Sequence, residues 1–211
     1  LDSGGRVAPE PGAEIVMVWK HPADGKVRGQ TASAEDLLVL KMISEEIDRK
    51  DVALAGSLPI TAVDACMERA AEKGIVFVPL SRIRRDPDVS GKSPYAGKPF
   101  FVSPTFTLQW HITQECDLHC RHCYDRTDRS SLTLTQALRI LDDLEGFCRR
   151  KRVKGQISFS GGNPLLHPDF SRIYRAAADR GFTSSILGNP ASRVQLEEVI
   201  AIQPPGFFQV S

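Results

Sequence analysis

Three cysteines lie within eight residues of the sequence, in the spacing C-x3-C-x2-C: Cys116, Cys120 and Cys123. A set this tight cannot pair into disulfides without strain, and pairing two of the thiols would leave the third over. Iron–sulfur clusters are held by cysteine thiolates, normally four per cluster. Three thiolates could wrap one face of a cuboidal cluster and leave one iron open to an outside ligand. We therefore predict that these cysteines are metal ligands and that the chemistry occurs at the open iron.

Two other metal sites fit the same cysteines. With His119 or His122 as a fourth ligand, they could hold a structural zinc ion in a Cys3His site. A cluster that only transfers electrons is also possible, although such proteins usually supply a fourth cysteine. The surrounding elements must decide between these alternatives.

The composition describes an ordinary globular protein of 211 residues. With 27 basic and 26 acidic side chains, the net charge of +1 gives no argument for nucleic acid or an anionic membrane as a partner. No apolar run approaches 18 residues, and the start does not resemble a secretion signal. Five cysteines, an odd number, suit metal binding in a reducing cytoplasm better than a disulfide framework. The strand-like ending leads us to expect a piece of a longer protein.

Residues 105–211 alternate between strand and helix patterns. Strands are predicted at 105–113, 156–160, 182–187 and 207–210, with helices between them that include Cys148 on a packed face. This alternation predicts an α/β fold with parallel strands, whose ligand sites gather at the carboxyl ends of the strands. The cysteine loop follows the first strand, Gly-Gly-Asn-Pro the second and Gly-Asn-Pro the third. The pattern therefore brings all three segments to one edge.

The residues before this fold predict a smaller α+β domain. Residues 14–80 contain a hairpin, three helices and a closing strand at 75–78, which is the outline of a winged helix. The first helix follows Ser33, in a sequence similar to a capping box, and its predicted apolar stripe is Leu37, Leu40, Ile43 and Ile47. We predict a loose lead-in at 1–13 and a Pro- and Gly-rich linker at 81–104.

A winged helix often binds DNA, which makes DNA binding an alternative to peptide binding. The third helix, however, mixes acidic and basic side chains: Asp64, Glu68 and Glu72 against Arg69 and Lys73. A recognition helix that faces phosphates should be more basic. The alternative function is an iron–sulfur or zinc-containing, redox-sensing, winged-helix DNA-binding regulator.

The cysteine loop and Gly-Gly-Asn-Pro, placed after successive strands, resemble the radical S-adenosylmethionine superfamily. The resemblance implies that residues 105–211 form the N-terminal part of a radical S-adenosylmethionine (β/α) barrel. It also implies a [4Fe-4S] cluster whose open iron binds S-adenosylmethionine. Reductive cleavage of that cofactor would give a 5′-deoxyadenosyl radical, which abstracts a hydrogen atom from the substrate.

The same resemblance implies roles for residues around the cluster. The predicted cofactor contacts are His122 and Tyr124 beside the adenine, Gly161, Gly162, Asn163 and Pro164 around the methionine, Asn189 on the same face, and Ser211 at the ribose. Asn163 departs from the common Gly-Gly-Glu-Pro form. Its side-chain oxygen could accept a hydrogen bond from the methionine ammonium, but it brings no negative charge.

A winged helix in front of such a domain resembles the peptide maturases. Their recognition element binds the leader of a ribosomally synthesised precursor peptide as an added edge strand. The segment Phe-Ser-Gly-Gly-Asn-Pro-Leu-Leu-His-Pro is also similar to maturases linked to thio(seleno)oxazole-type modification, many of which carry a SPASM extension with auxiliary clusters. We therefore predict a precursor peptide bound by residues 14–80, and an electron donor such as a flavodoxin or ferredoxin.

Overall fold

The computed structural model describes residues 12, 14–83, 103–123 and 131–210. Most of the predicted lead-in and linker, together with Tyr124 and Ser211, lie outside this part. The described chain divides into two compact units. The hairpin unit comprises the residues up to Asp48 together with Ala65–Phe77, and the sheet unit comprises Arg49–Asp64 together with the residues from Val78 onward.

The hairpin unit begins with two antiparallel strands, β1 (Val16–Lys20) and β2 (Val27–Thr31), as the sequence predicts. Their connection closes through the hydrogen bond from His21 N to Lys26 O at 2.8 Å. The three predicted helices form as well: α1 (Ala34–Ser44) in the hairpin unit, α2 (Arg49–Gly56) in the sheet unit, and α3 (Ile60–Glu72), whose residues are divided between the two units after Asp64.

The start of α1 confirms the predicted capping box, since Ser33 and Asp36 bond to each other's backbone N–H groups. The buried stripe, however, differs from the prediction. Asp36, Val39 and Met42 face inward, whereas Leu40 and Ile43 are 36% and 50% exposed. Asp36 sets this rotation because its carboxylate also accepts from Lys73 Nζ at 2.8 Å inside the unit. Residues spaced by three share that inward face.

The closing strand predicted at 75–78 does not form; these residues have no strand structure, and Phe77 and Val78 are exposed. Within the described residues, the small sheet contains β1 and β2 alone. The third strand that would complete the expected outline is therefore missing there. The structure shows a hairpin with helices, and the winged-helix domain is not shown.

The sheet unit contains four parallel strands in the order β3-β4-β5-β6. They are β3 (Thr105–Thr113), β4 (Lys154–Gly161), β5 (Thr183–Gly188) and β6 (Phe208–Val210). The connecting helices are α4 (Leu134–Lys151), α5 (Phe170–Ala178) and α6 (Arg193–Ile202), and a 3-10 turn at Pro164–Leu166 precedes α5. The predicted parallel α/β architecture is confirmed and is consistent with part of a radical S-adenosylmethionine fold.

An aromatic cluster forms the centre of the sheet unit. The Phe159 ring packs against Trp110, Phe170 and Tyr174, with ring centroids 5.5–5.8 Å apart. The Tyr174 hydroxyl donates to Gln203 O at 3.0 Å, and burial raises the pKa of Tyr174 to about 12. Cys148 is buried on the inner face of α4, as predicted, and burial raises the pKa of its thiol. This core fixes the strands whose carboxyl ends carry the candidate site.

Among the described residues, no helix is both long enough and apolar enough to cross a bilayer.

Candidate functional site

The loops that follow β3 and β4 are bonded to each other through their backbones. Gly162 N donates to Thr113 O at 2.9 Å, and Asn163 N donates to Glu115 O at 2.7 Å. These bonds continue the β3–β4 pairing past the end of the strands and into the cysteine loop. The Gly-Gly-Asn-Pro turn therefore fixes the base of the segment that carries Cys116.

Gly161 and Gly162 permit this close approach because they have no side chain. A Cβ atom at Gly161 would collide with Thr113 O, and one at Gly162 would collide with Glu115 O. Gly161 also has a φ of +121°, which L-residues rarely adopt. The approach that the structure shows is to the backbone of the cysteine loop, and the predicted contact of these glycines with the methionine part of a cofactor stays a prediction.

Asp117, directly after the first cysteine, joins three strand ends through its side chain. Asn163 Nδ2, after β4, donates to Asp117 Oδ1 at 3.1 Å. Asn189 Nδ2, after β5, donates to the same oxygen and also lies 3.4 Å from Cys116 Sγ. These are the two asparagines of the sequence, and a proline follows each of them. We call Asp117, Asn163 and Asn189 the Asp–Asn cluster.

The members of the Asp–Asn cluster differ in exposure. Asn163 and Asn189 are 2% and 6% exposed, whereas Asp117 is exposed. Hydrogen bonds from Asn189 and Asn163 hold the pKa of Asp117 below its usual range, because they stabilise the charged carboxylate. Asn163 Oδ1 accepts from Leu165 N at 3.2 Å and so begins the 3-10 turn. Both ends of the Asn163 amide are therefore engaged within the protein.

The three cysteines of the loop are thiols, since none of the chain's five cysteines forms a disulfide. Cys116 and Cys123 are exposed and Cys120 is half-buried. Cys123 N donates to Cys120 O at 3.2 Å, and Leu118 N lies 3.5 Å from Cys116 Sγ. Among the described residues, no three His, Cys, Asp or Glu side chains already stand at metal-binding spacing. The thiols would thus turn inward around a cluster.

The donor set nevertheless fits an iron–sulfur cluster. Three thiols lie on one short exposed loop, and N–H groups of Leu118 and Asn189 point to the sulfur of Cys116. Hydrogen bonds to sulfur are among the features by which proteins tune such clusters.

Other predicted contacts are placed as follows. His122 is exposed on the loop and Pro164 is buried in the 3-10 turn, while Tyr124 and Ser211 lie outside the described residues. His167 is buried and structural, with Nε2 3.1 Å from Leu132 O and Nδ1 accepting from Asp169 N. Asp117 is the member of the site that the sequence analysis did not assign. Its signal was present: a carboxylate directly after the first cysteine, at a strand end.

This arrangement defines the class of the domain: a parallel α/β sheet with a thiolate loop and a glycine turn at the carboxyl edge. The model of the Radical SAM superfamily matches residues 110–207, from within β3 to the residue before β6. This part of the chain is therefore similar to radical SAM domains. The family implies a [4Fe-4S] cluster and S-adenosylmethionine, which agrees with the cofactors expected from the sequence.

Three curated relatives align with about half of this chain or less. An S-adenosylmethionine-dependent nucleotide dehydratase of Selenomonas ruminantium is 38% identical over 104 residues, 49% of this chain and 35% of its own length. A pre-heme d1 synthase of Dinoroseobacter shibae is 31% identical over 105 residues, 44% of this chain and 24% of its own. An Fe-coproporphyrin III synthase of Methanosarcina barkeri is 30% identical over 84 residues, 38% of this chain and 20% of its own. The chain thus spans about a third of the length of the first relative and a smaller share of the other two.

Proposed function

We propose that the protein is a radical S-adenosylmethionine enzyme that modifies a ribosomally synthesised peptide bound through its leader. The observation that carries the radical chemistry is the convergence of Cys116, Asn163 and Asn189 at one edge of the parallel sheet. When bound, a [4Fe-4S] cluster and S-adenosylmethionine would supply the radical chemistry, which is one-electron cleavage of the cofactor's S–C5′ bond followed by removal of a hydrogen atom from the substrate.

The protein's own residues would hold and orient this cofactor pair. In the proposal, Cys116, Cys120 and Cys123 bind three irons, and the N–H of Asn189 stabilises the sulfur of Cys116. The exposure of the cysteine loop supports docking of an electron donor such as a flavodoxin or ferredoxin. The proposed setting is the reducing cytoplasm, where thiols persist.

The hairpin unit supports a peptide substrate. In the described chain, β1 and β2 pair with each other alone, so each strand has an outer backbone edge. Val16 and Val18 project from β1 and are 63% and 70% exposed. An extended leader could add to such an edge through backbone hydrogen bonds and place its apolar side chains on these valines. We propose residues 14–80 as the leader-binding segment of a thio(seleno)oxazole- or SPASM-type maturase.

A second candidate is a small-molecule substrate. It is favoured by the three relatives, which are a nucleotide dehydratase, a pre-heme d1 synthase and an Fe-coproporphyrin III synthase. The DNA-binding alternative gains no support. Arg69 of α3 and Lys73, which directly follows α3, are ion-paired with Glu35 and Asp36.

The radical chemistry is tested with the full-length protein, reconstituted anaerobically with iron and sulfide. We expect the cysteine loop to bind about four irons per chain, besides the irons of any auxiliary cluster, and 5′-deoxyadenosine to form after reduction in the presence of S-adenosylmethionine. Cys116→Ser should lose these irons and the product together, whereas Cys66→Ser, outside the loop, should keep both. A wild-type protein that binds iron but yields no 5′-deoxyadenosine would contradict the proposal.

The substrate class is tested by mass spectrometry after co-expression with a candidate precursor peptide. A changed peptide mass with the wild type, and an unchanged mass with Cys116→Ser, supports peptide modification. Val18→Lys should reduce modification while leaving 5′-deoxyadenosine formation unchanged, because it alters the proposed leader surface alone. Turnover of a nucleoside triphosphate with no change in any peptide would favour the second candidate.

A further inference from the structure

The anionic group of the site lies on the cysteine loop and not in the Gly-Gly-Asn-Pro turn. Residue 163 is an asparagine, whose amide is neutral. Its Nδ2 donates to Asp117 and its Oδ1 accepts from Leu165 N, and the side chain is 2% exposed. A cofactor ammonium could reach this oxygen only by displacing protein atoms. The predicted hydrogen bond, in which the Asn163 side-chain oxygen accepts from the methionine ammonium, therefore fits the structure poorly.

Asp117 has the opposite properties. Its side chain is an exposed carboxylate, and the donors from Asn163 and Asn189 that contact it are neutral amides. A carboxylate offers about four lone-pair positions on its two oxygens, and the two amides share Oδ1. Capacity therefore remains for a charged donor. Asp117 also follows Cys116 directly, so this charge lies beside the first proposed iron ligand.

The two buried amides fix the position of that charge. Asn163 follows β4 and Asn189 follows β5, and both strands belong to the rigid parallel sheet. Together they hold one carboxylate oxygen from two directions, so the carboxylate does not depend on the conformation of its loop alone. A group held in this way can bind a ligand with little loss of side-chain entropy.

We propose that Asp117 is the cofactor-binding carboxylate of this site and that it receives the ammonium group of S-adenosylmethionine. This inference rests on the proposed function. The common Gly-Gly-Glu-Pro form has its carboxylate in the glycine turn, whereas this chain has one directly after the first cysteine. Asn163 orients that carboxylate.

The test is equilibrium dialysis of S-adenosylmethionine against the oxidised, cluster-loaded, full-length protein, with iron content measured for each variant. Asp117→Asn keeps the size of the side chain and an oxygen that can accept from the two amides, but it loses the charge. We expect it to keep the cluster and to bind the cofactor about ten- to a hundredfold more weakly, as for loss of a charge-assisted hydrogen bond. Asp142→Asn is the matched control, because it removes one exposed charge on α4, where Asp142 pairs with Arg180. The Asp142→Asn variant should bind S-adenosylmethionine with the same affinity as the wild type.

A cofactor analogue in which hydrogen replaces the α-amino group identifies the contact. It should bind the wild type and Asp117→Asn equally, because neither complex contains the ammonium–carboxylate pair. The inference would be overturned if Asp117→Asn lost the cluster, or if it bound the analogue and the cofactor with equally weakened affinity. Either result would mean that Asp117 holds the loop. Unchanged affinity for the cofactor would overturn it too. A wild type that loads the cluster but does not bind S-adenosylmethionine is a separate outcome, which contradicts the proposed function itself.

Discussion

Asn189 and Cys116 lie 73 residues apart in the sequence, yet Asn189 Nδ2 is 3.4 Å from Cys116 Sγ. The amide arrives from the end of β5 and the thiol from the loop after β3, two strands apart in the sheet. The contact therefore depends on the parallel fold and could not form within either loop alone. It gives the site a hydrogen bond to the sulfur of a proposed cluster ligand.

Removal of this hydrogen bond should lower the reduction potential of the cluster. An N–H donor stabilises the extra negative charge that the sulfur carries after reduction. Asn189→Ala should therefore shift the potential to a more negative value while iron binding persists. Spectroelectrochemical titration of the reconstituted protein measures the shift. Gln156→Ala, at the opposite end of the sheet, is the control and should leave the potential unchanged; an unchanged potential in Asn189→Ala would show that the contact has no electronic role.

Gly161→Ala should destabilise the sheet unit by more than about 1–3 kcal/mol, the usual cost of an L-residue in a sparsely populated backbone region. The excess comes from the collision of the new Cβ with Thr113 O. Gly146→Ala on α4 is the matched control, because the nearest atom to its new Cβ is the flexible tip of Arg150. That change should stabilise the protein by about 0.5–1 kcal/mol. Urea denaturation of the metal-free protein, followed by Trp110 fluorescence in a Trp19→Phe background, compares them; equal stabilities would contradict the packing described for the β4 turn.

Asp36 should make the hairpin unit sensitive to acid. Burial raises the pKa of Asp36, but hydrogen bonds from Lys73 and Ser33 outweigh it and leave the pKa below 3.8. Because the folded pKa is depressed, the stabilisation is present above the unfolded value and is lost as the pH falls through the folded value. Asp36→Asn should lower the free energy of unfolding by about 1–3 kcal/mol at neutral pH. It should also remove the further loss of stability as the pH falls.

The measurement for Asp36 is the urea midpoint of Trp19 fluorescence in a Trp110→Phe background, at pH values from neutral to acid. Trp19 reports on this unit because its Nε1 donates to Lys73 O at 3.2 Å. Glu35→Gln is the control on the same helix, since its exposed pair with Arg69 should contribute about 0–1 kcal/mol. An acid dependence that persists in Asp36→Asn would assign it to another group.

Tyr174 should ionise late in an alkaline titration. Its pKa of about 12 results from burial, which disfavours the phenolate. A raised folded pKa means that stability is intact below pH 10 and decreases as the pH rises toward 12. Ultraviolet titration of the folded protein, which has three tyrosines, should show a step near pH 12 that is absent in Tyr174→Phe. The same variant should lower the free energy of unfolding by about 0.5–1.5 kcal/mol, because it loses the hydrogen bond to Gln203 O.

The parallel sheet could be predicted because its signals are local and repeated. The prediction for β3 matched residue for residue, and the alternation of strand and helix sufficed to bring the cysteine loop and both asparagines to one edge. The hairpin unit was harder. Its helix α1 contains apolar residues on more than one face, and the choice between them depended on the ion pair of the buried Asp36 with Lys73, a contact between distant positions. The pattern of α1 alone favoured Leu40 and Ile43, which the structure exposes.

The Asp–Asn cluster could be predicted in part. Asn163 and Asn189 were expected at the site because each follows a strand of the sheet. Their common partner was missed, since no short spacing links Asp117 to either residue and the contact requires both strand ends to be placed first. The glycines were expected to admit a cofactor, whereas the approach that the structure shows is between two loops of the protein.

Both asparagines of the cluster are followed by proline, and this protects the site from chemical ageing. Asparagine deamidates when the backbone nitrogen of the next residue attacks the side-chain carbonyl and a cyclic imide forms. Proline has no N–H to lose, so that ring cannot close at Asn163 or Asn189. Deamidation at either position would replace a donor to Asp117 with a second carboxylate and set two like charges against each other. The arrangement that orients Asp117 is therefore closed to deamidation through a cyclic imide.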